Sequence, residues 1–283
     1  MIRIALPNKG RLAEGARELL ERAGLEFDVR GDRALQAALG EDFQALFVNA
    51  RDIPEFVADG AADLGITGRD LIAESGRDVR LLLDLGFGRC RLALAATDES
   101  EVSNVGAVPD GVRIATVFPR ITEAFFRERG CRIRLVPISG AAENAPHLGV
   151  ADLIVDLVST GSTLKMNGLR EVGTIMESTA VLIARGDVVD LRETRELTTA
   201  LESVLRAQDK RYLMANVPRA QLPRVKEILP GINGPTVVDV LNGGEHVAAH
   251  AVVDRREIYR VIAELKSIGA TGILVTSIER LMP

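Results

Sequence analysis

Short apolar runs alternate with amphipathic helical stretches through the first two thirds of this 283-residue chain. That order is the pattern of parallel α/β units, in which each crossover helix covers one face of a sheet. Runs at 2–6, 45–48, 64–68, 81–85 and 91–96 read as strands. Leu12, Ala16, Leu19, Leu20 and Ala23 mark one face of a helix that Gly24 closes. The polar stretch 97–101 predicts a crossing into a second set, with strands at 113–117, 132–137 and 153–157. Helices are expected there through Phe125 and Phe126 and over 141–148. Strand 179–184 would run back to the first set. The expected division is lobe I at 1–96 with 179–208, and lobe II at 97–178. Two crossings leave a cleft between the lobes, where ligands usually sit. After a helix at 191–208 carrying Leu197, Leu201, Val204 and Leu205, the order becomes strand 211–217, helix 219–228, strand 235–241. Strand 247–253, helix 255–268 and strand 272–276 complete a βαββαβ, ferredoxin-like domain over 209–283.

Composition narrows the class of function. Lys plus Arg is 35 against Asp plus Glu at 40, a formal net charge of -5, which argues against nucleic acid as partner. Hydrophobic residues at 47% suit a packed soluble protein. No run approaches the roughly 18 apolar residues of a membrane span, so no membrane partner is expected. Cys90 and Cys131 stand far apart and outside any metal spacing, which points to a cytoplasmic location. Three histidines with no cysteine cluster make a structural zinc site unexpected.

The segment 152–164, reading DLIVDLVSTGSTL, carries the most chemistry. A strand ends near Leu157, and a loop of small hydroxylated residues with one glycine follows: Ser159, Thr160, Gly161, Ser162 and Thr163. Such a loop can turn amides and hydroxyls toward one anion. Asp152, Ile154 and Asp156 share one strand face by the period of two. Two carboxylates beside an anion cradle suit ribose hydroxyls, or Mg²⁺ carried by a polyphosphate. The plainer reading, a turn with capping hydroxyls, explains the loop but not the acidic strand before it.

Walker-type and dinucleotide glycine loops are absent, as is any G-x-S-x-G elbow. Cations gather at expected loops and element ends: Lys9, Arg11, Arg51, Arg69, Arg89, Arg91, Arg120 and Lys165. Those lining a cleft would form a local anion trap in an acidic chain, while the rest are ordinary surface residues. Glu143 and His147, four apart on the expected helix, read first as a solvated pair and second as an acid–base pair. His246 and His250 read as strand or turn residues, and Phe125 and Phe126 as core.

Taken together, these segments resemble the long form of the ATP phosphoribosyltransferase family. The resemblance rests on PNKGRL at 7–12, DLGITGRD at 63–70, FGRCRL at 87–92, SGAAE at 139–143 and the stretch 151–169. It continues through YLM at 212–214, GPT at 234–236 and GATGILV at 269–275. It implies an enzyme that condenses ATP with 5-phosphoribosyl 1-diphosphate (PRPP), giving N1-(5-phosphoribosyl)-ATP and pyrophosphate. That is the first step of histidine biosynthesis, with Mg²⁺ required. It also implies a two-lobed core similar to periplasmic binding proteins, a C-terminal regulatory domain that binds histidine as inhibitor, and a homo-oligomer growing from dimer to hexamer.

By that resemblance the loop 159–163 takes the PRPP 5-phosphate, and Asp156, with Asp152, takes ribose hydroxyls or Mg²⁺. Glu143 matches an acidic position near the ribose. Lys9, Arg11, Arg51 and Arg91 are the contacts expected for pyrophosphate and ATP, with Lys9, Arg11, Glu143 and Asp156 as the catalytic set. Asn216, Thr236 and Ala270 match the histidine positions. Three other readings stand beside it: a solute-binding protein, a phosphoribosyltransferase acting on a free base, and a ligand-sensing subunit without catalysis. The hydroxyl-rich loop after an acidic strand weighs against the first, the C-terminal domain against the second, and the intact loop against the third.

Overall fold

The computed structural model describes residues 1–28, 34–240 and 244–282. The chain divides into two compact units, Met1–Thr198 and Thr199–Pro283. The first begins β1 (Ile2–Pro7), α1 (Arg11–Arg22), β2 (Phe27–Asp28), β3 (Gln36–Leu39), β4 (Phe43–Val48) and α2 (Ile53–Ala58). It continues with β5 (Leu64–Gly68), α3 (Arg69–Ser75), β6 (Arg80–Asp84), β7 (Cys90–Thr97), β8 (Arg113–Thr116), α4 (Pro119–Glu128) and β9 (Arg134–Pro137). Then come β10 (Leu153–Val158), α5 (Ser162–Met166), β11 (Leu169–Ser178) and β12 (Ala180–Ala184). Helix α6 (Arg192–Ala207) runs through the division. The second unit holds β13 (Lys210–Pro218), α7 (Leu222–Ile228), β14 (Thr236–Asp239), β15 (His246–Asp254), α8 (Ile258–Ser267) and β16 (Thr271–Ser277).

The first unit has two sheets. One is seven-stranded in the order β2-β3-β4-β1-β5-β12-β6, with β1 parallel to β4 and β5. Strands covered on both faces need apolar residues throughout, and β12, reading AVLIA, is buried at every position. The other sheet runs β11-β7-β10-β8-β9. Its core packs Leu92, Leu94, Ile114, Phe118, Phe126, Leu153 and Val155 on one face, and Ala93, Ala95, Ile154, Val158 and Leu164 on the other. The two-lobed, twice-crossed core expected from the sequence is therefore present, and β12 returns to the first sheet as expected.

Several expectations change. Strand β7 belongs to the second sheet, where it pairs antiparallel with both β10 and β11, so the first crossing lies at 85–89 and lobe I does not extend to 96. The polar stretch after β7 is a tight turn, with the Ser100 amide donating to the Thr97 carbonyl at 3.1 Å. The helix expected over 141–148 is only a 3-10 turn at Ala142–Asn144. Ala141 before it is left-handed at φ 52°, and Pro146 has no amide to continue a helical ladder. Strand β11 was not read from the sequence because register shifts at 171/173 and 174/176 break its period of two. Helix α6 straddles the 198/199 division of the two compact units and ends at Ala207.

In the second unit the sheet order β14-β15-β13-β16, all antiparallel, is the ferredoxin-like arrangement. Strand β15 alternates cleanly, with Val247, Ala249, Ala251 and Val253 buried against Val225, Ile228, Val261 and Leu265 of the helices. His246 and His250 lie on β15, as the strand reading expects, and the His250 Nδ1 bonds the Tyr212 hydroxyl at 2.9 Å. The strand expected over 235–241 spans Thr236–Asp239, and Leu241 lies outside the described residues.

Candidate functional site

The end of β10 builds the centre of the site. Alternation sends Ile154 and Val158 into the core and leaves Asp156 between them, half-buried and facing a small cavity of about 150 Å³. Glu143, Ser159, Thr160, Gly161 and Thr163 line the same cavity. Gly161 makes the turn from strand into α5 possible, since φ 81° is the left-handed conformation a side chain resists. Beyond it the hydroxyls of Thr160 and Ser162 meet at 3.0 Å.

Asp156 is electrostatically unlike an ordinary surface carboxylate. Burial raises its carboxyl above the usual aspartate range, and the nearby charge of Glu143 adds to the rise. The Leu157 amide, which donates to Asp156 Oδ1 at 2.7 Å, and the Arg51 guanidinium pull the other way. Asp152 does not join it. Its carboxylate forks with Arg113, at 2.6 Å from Nη2, and also accepts the Arg113 amide at 2.9 Å. That partner holds Asp152 below the usual range. Four residues of strand separate the two aspartates, roughly 13 Å at the rise of a β-strand. Asp152 therefore stands at the far end of β10 from the loop, and the expected pair is a single carboxylate with Glu143.

A second cavity, of about 250 Å³, holds Lys9, Arg11 and Arg51 with Asn49, Asp70 and Phe118. Arg11, at the start of α1 in the first lobe, donates from Nη1 to the Ser159 hydroxyl of the second lobe at 2.6 Å. Arg51 lies over the Phe118 ring, 5.2 Å from its centroid. A third and larger cavity, about 690 Å³, is walled by Arg69, Arg89 and Arg91 with Ser159, Glu177, Ser178 and Thr179. Arg91 is held on one edge by Glu171, at 2.7 Å from Nε, and its Nη1 reaches the Ser159 carbonyl at 3.5 Å. The same contact keeps the Glu171 carboxyl below its usual range. Ser159 lines both the loop cavity and the large one, Leu157 both the loop cavity and the second, and Ser178 both cation-rich cavities. The three cavities thus share lining residues around the end of β10, and two of them are walled by cations.

Lys9, Arg11, Arg51, Arg91, Glu143, Asp156 and the loop 159–163 are thus brought together. Arg69 and Arg89 also line the region, although the sequence marked them only as cations at element ends. Asp70, buried and bonded at 2.5 Å by the Ser178 hydroxyl, was not singled out, and nothing in its spacing marks it. Among the described residues no group of three or more His, Cys, Asp or Glu could hold a metal ion. Two carboxylates and several hydroxyls in one cavity are hard oxygen donors, which fit Mg²⁺ arriving on a substrate's phosphates rather than a resident ion. Also among the described residues, no helix is long and apolar enough to cross a membrane.

The histidine positions divide. Asn216 on β13 pairs with Thr271, next to Ala270, which is buried under the helices. Thr236 pairs with His250 on β15 and so lies two strands from β13.

Residues 49–205 match the family described as ATP phosphoribosyltransferase, and residues 207–280 the family described as HisG, C-terminal domain. An ATP phosphoribosyltransferase of Gemmatimonas aurantiaca is 56% identical over 292 residues, covering 100% of both chains. The protein of that name from Haloarcula marismortui is 50% identical over 283 residues, covering 99% of this chain and 100% of its own. Among solved structures, a chain of the ATP phosphoribosyl transferase (HisG:HisZ) complex from Thermotoga maritima superposes with a TM-score of 0.62 at 27% identity. It covers 71% of this chain and 99% of that one.

Proposed function

This chain belongs to the ATP phosphoribosyltransferase family, and from that membership we propose that it transfers the phosphoribosyl group of PRPP to N1 of ATP, opening histidine biosynthesis. The observation that carries the site assignment is the end of β10, where Asp156 and a hydroxyl-rich loop line one cavity and Leu157 and Ser159 also line two cation-walled ones.

In this reading the loop 159–163 grips the 5-phosphate of PRPP with amides and hydroxyls. Asp156 and Glu143 hold the ribose hydroxyls. Adenine N1 is itself the nucleophile, so the site needs no Ser, Cys or Lys to attack. As the C1–pyrophosphate bond breaks, positive charge grows on the ribose and negative charge on the leaving group. Lys9, Arg11, Arg51 and Arg91, joined by Arg69 and Arg89, stand where they can stabilise that anion and the triphosphate of ATP. Asp156 and Glu143 are also the residues that would hold Mg²⁺, which when bound neutralises charge on the diphosphate. The remaining work is positioning: two substrates held so that N1 faces the anomeric carbon.

The C-terminal unit would be the histidine-binding one, through Asn216, Thr236 and Ala270. Asn216 and Thr236 stand on strands separated by β15, and histidine binding is expected to depend on assembly, from dimer to hexamer. Two free thiols, Cys90 and Cys131, fit a reducing cytoplasm.

The deciding experiment mixes protein, Mg²⁺, ATP and PRPP, and follows pyrophosphate and a new nucleotide, before and after adding histidine. Pyrophosphate with the N1 adduct is the expected outcome. Binding of both substrates without turnover would refute the proposal.

A further inference from the structure

Helices α3 and α4 follow strands of different sheets, β5 in the first lobe and β8 in the second, yet they meet end to end. Helix α4 has no side-chain cap of its own. Phe118 occupies the capping position and Pro119 brings no amide. The free amides of Arg120 and Ile121 donate instead to the two oxygens of Glu74, each at 3.0 Å. A carboxylate there also meets the positive end of the helix.

The exchange is mutual. The Arg120 guanidinium lies across Gly76, the left-handed residue at φ 65° that ends α3. A β-carbon there would stand 2.2 Å from Arg120 Cζ, so the guanidinium lies where any side chain at this position would displace it. Leu71 of α3 meanwhile packs in the second lobe's core with Phe118 and Phe126. The lobes are thus tied here as well as at the crossings at 85–89 and 179 and through the Arg11–Ser159 and Ser178–Asp70 bonds.

Both helices lead into the site. Helix α3 starts with Arg69, a wall of the 690 Å³ cavity, and with Asp70, which Ser178 bonds. Helix α4 starts behind Phe118, the ring on which Arg51 lies. We propose that Glu74 is a positioning residue: its two amide bonds lock α4 to α3 and hold Arg51 and Arg69 at a preset spacing from the loop 159–163. The cleft is then largely built before substrate arrives, instead of being assembled by free closure about two hinges. What fills the cleft rests on the proposed function, whereas the joint does not.

The test compares the full-length wild type with Glu74→Ala and Glu74→Gln. Gln keeps one acceptor oxygen and hence one of the two amide bonds. Three readouts are taken: binding of inorganic pyrophosphate by calorimetry, KM and kcat with ATP and PRPP, and amide hydrogen exchange. The informative amides are Leu85 and Ala180, which bond across the two crossings at 2.9 and 3.0 Å. Glu74→Ala is expected to weaken pyrophosphate and raise both KM values about tenfold with kcat nearly kept, since small misplacements of binding groups act through positioning. Exchange at Leu85 and Ala180 should quicken, and Glu74→Gln should fall between. A variant that only melts earlier and exchanges faster within α4, with affinity and the crossings unchanged, overturns the inference. Where Glu74→Ala does not fold, the same result in Glu74→Gln overturns it. Were the wild type itself to bind no pyrophosphate and turn nothing over, the functional reading would fail and the crossing amides alone would decide the joint.

Discussion

Replacing Asp156 by Asn should make the protein more stable and less active at once. The side chain keeps its shape, and the amide oxygen can accept from the Leu157 amide as Oδ1 does now at 2.7 Å. What disappears is a charge that burial disfavours, in a carboxyl already raised by desolvation and by Glu143. The sign follows from linkage. With the folded-state carboxyl raised above its unfolded value, Asp156 costs nothing where it is protonated in both states. Its cost grows as pH climbs from the ordinary aspartate value, about 3.9, through the raised one, and is constant above. Scanning calorimetry should find equal melting for wild type and Asp156→Asn in acid, with the variant melting higher at neutral pH. For activity, hydrogen bonds to a charged group contribute about 1.5–3 kcal/mol. Losing the charge should lower kcat/KM, measured as pyrophosphate release, by roughly 10- to 150-fold at 1.4 kcal/mol per decade. Asp156→Ala should lose most turnover while staying folded. An Asn variant that melts lower at neutral pH, or that retains wild-type kcat/KM, would refute the role given to this carboxylate.

Asp152→Asn should behave oppositely, with turnover within about twofold of wild type. It loses at most about 1 kcal/mol, because the Arg113 pair is partly exposed. Since Arg113 depresses the Asp152 carboxyl, that small stability exists above the ordinary aspartate pKa and fades as pH falls through the lowered one; comparing chemical denaturation at acid and neutral pH checks it. Arg91→Lys should raise the KM for PRPP roughly tenfold, since an ammonium cannot fork to Glu171 and still face the loop; an unchanged KM in steady-state kinetics would count against Arg91 as an anion contact. Ser159→Ala removes the 2.6 Å bond from Arg11, of order 0.5–1.5 kcal/mol, so PRPP should bind a few-fold more weakly by calorimetry. Deleting residues after about Gln208 should abolish histidine inhibition and disturb assembly; inhibition surviving in that truncation would move the effector site elsewhere.

Much of the architecture was legible in the residues. Short apolar runs such as AVLIA at 180–184 suit strands covered on both faces, and the clean alternation of β15 announces a sheet with one helix-covered face. The hydroxyl-rich loop stood out because its residue types suit anions wherever the strand before it ends. Cations at element ends were visible too, but which of them face the cleft was not. Local pattern was silent on three matters. Strand β11 hides behind two register shifts, which scramble the period of two. Residues 141–148 have helical spacing, yet a left-handed Ala141 and Pro146 leave one short turn. Asp152 and Asp156 look equivalent on paper, one face of one strand.

Sequence alone, then, determined most of the strands and helices, the two-sheet core with its appended domain, and the chemistry of the loop, because each follows from side chains and their neighbours along the chain. Only the folded chain decided that Arg113 neutralises Asp152 while Asp156 sits half-buried beside Glu143, that β7 lies on the far side of the crossing, and that Glu74 caps a helix of the other lobe. Those outcomes depend on contacts between residues 13 to 46 positions apart or more, and charge, burial and hydrogen bonding at such separations exist only once the chain has closed on itself.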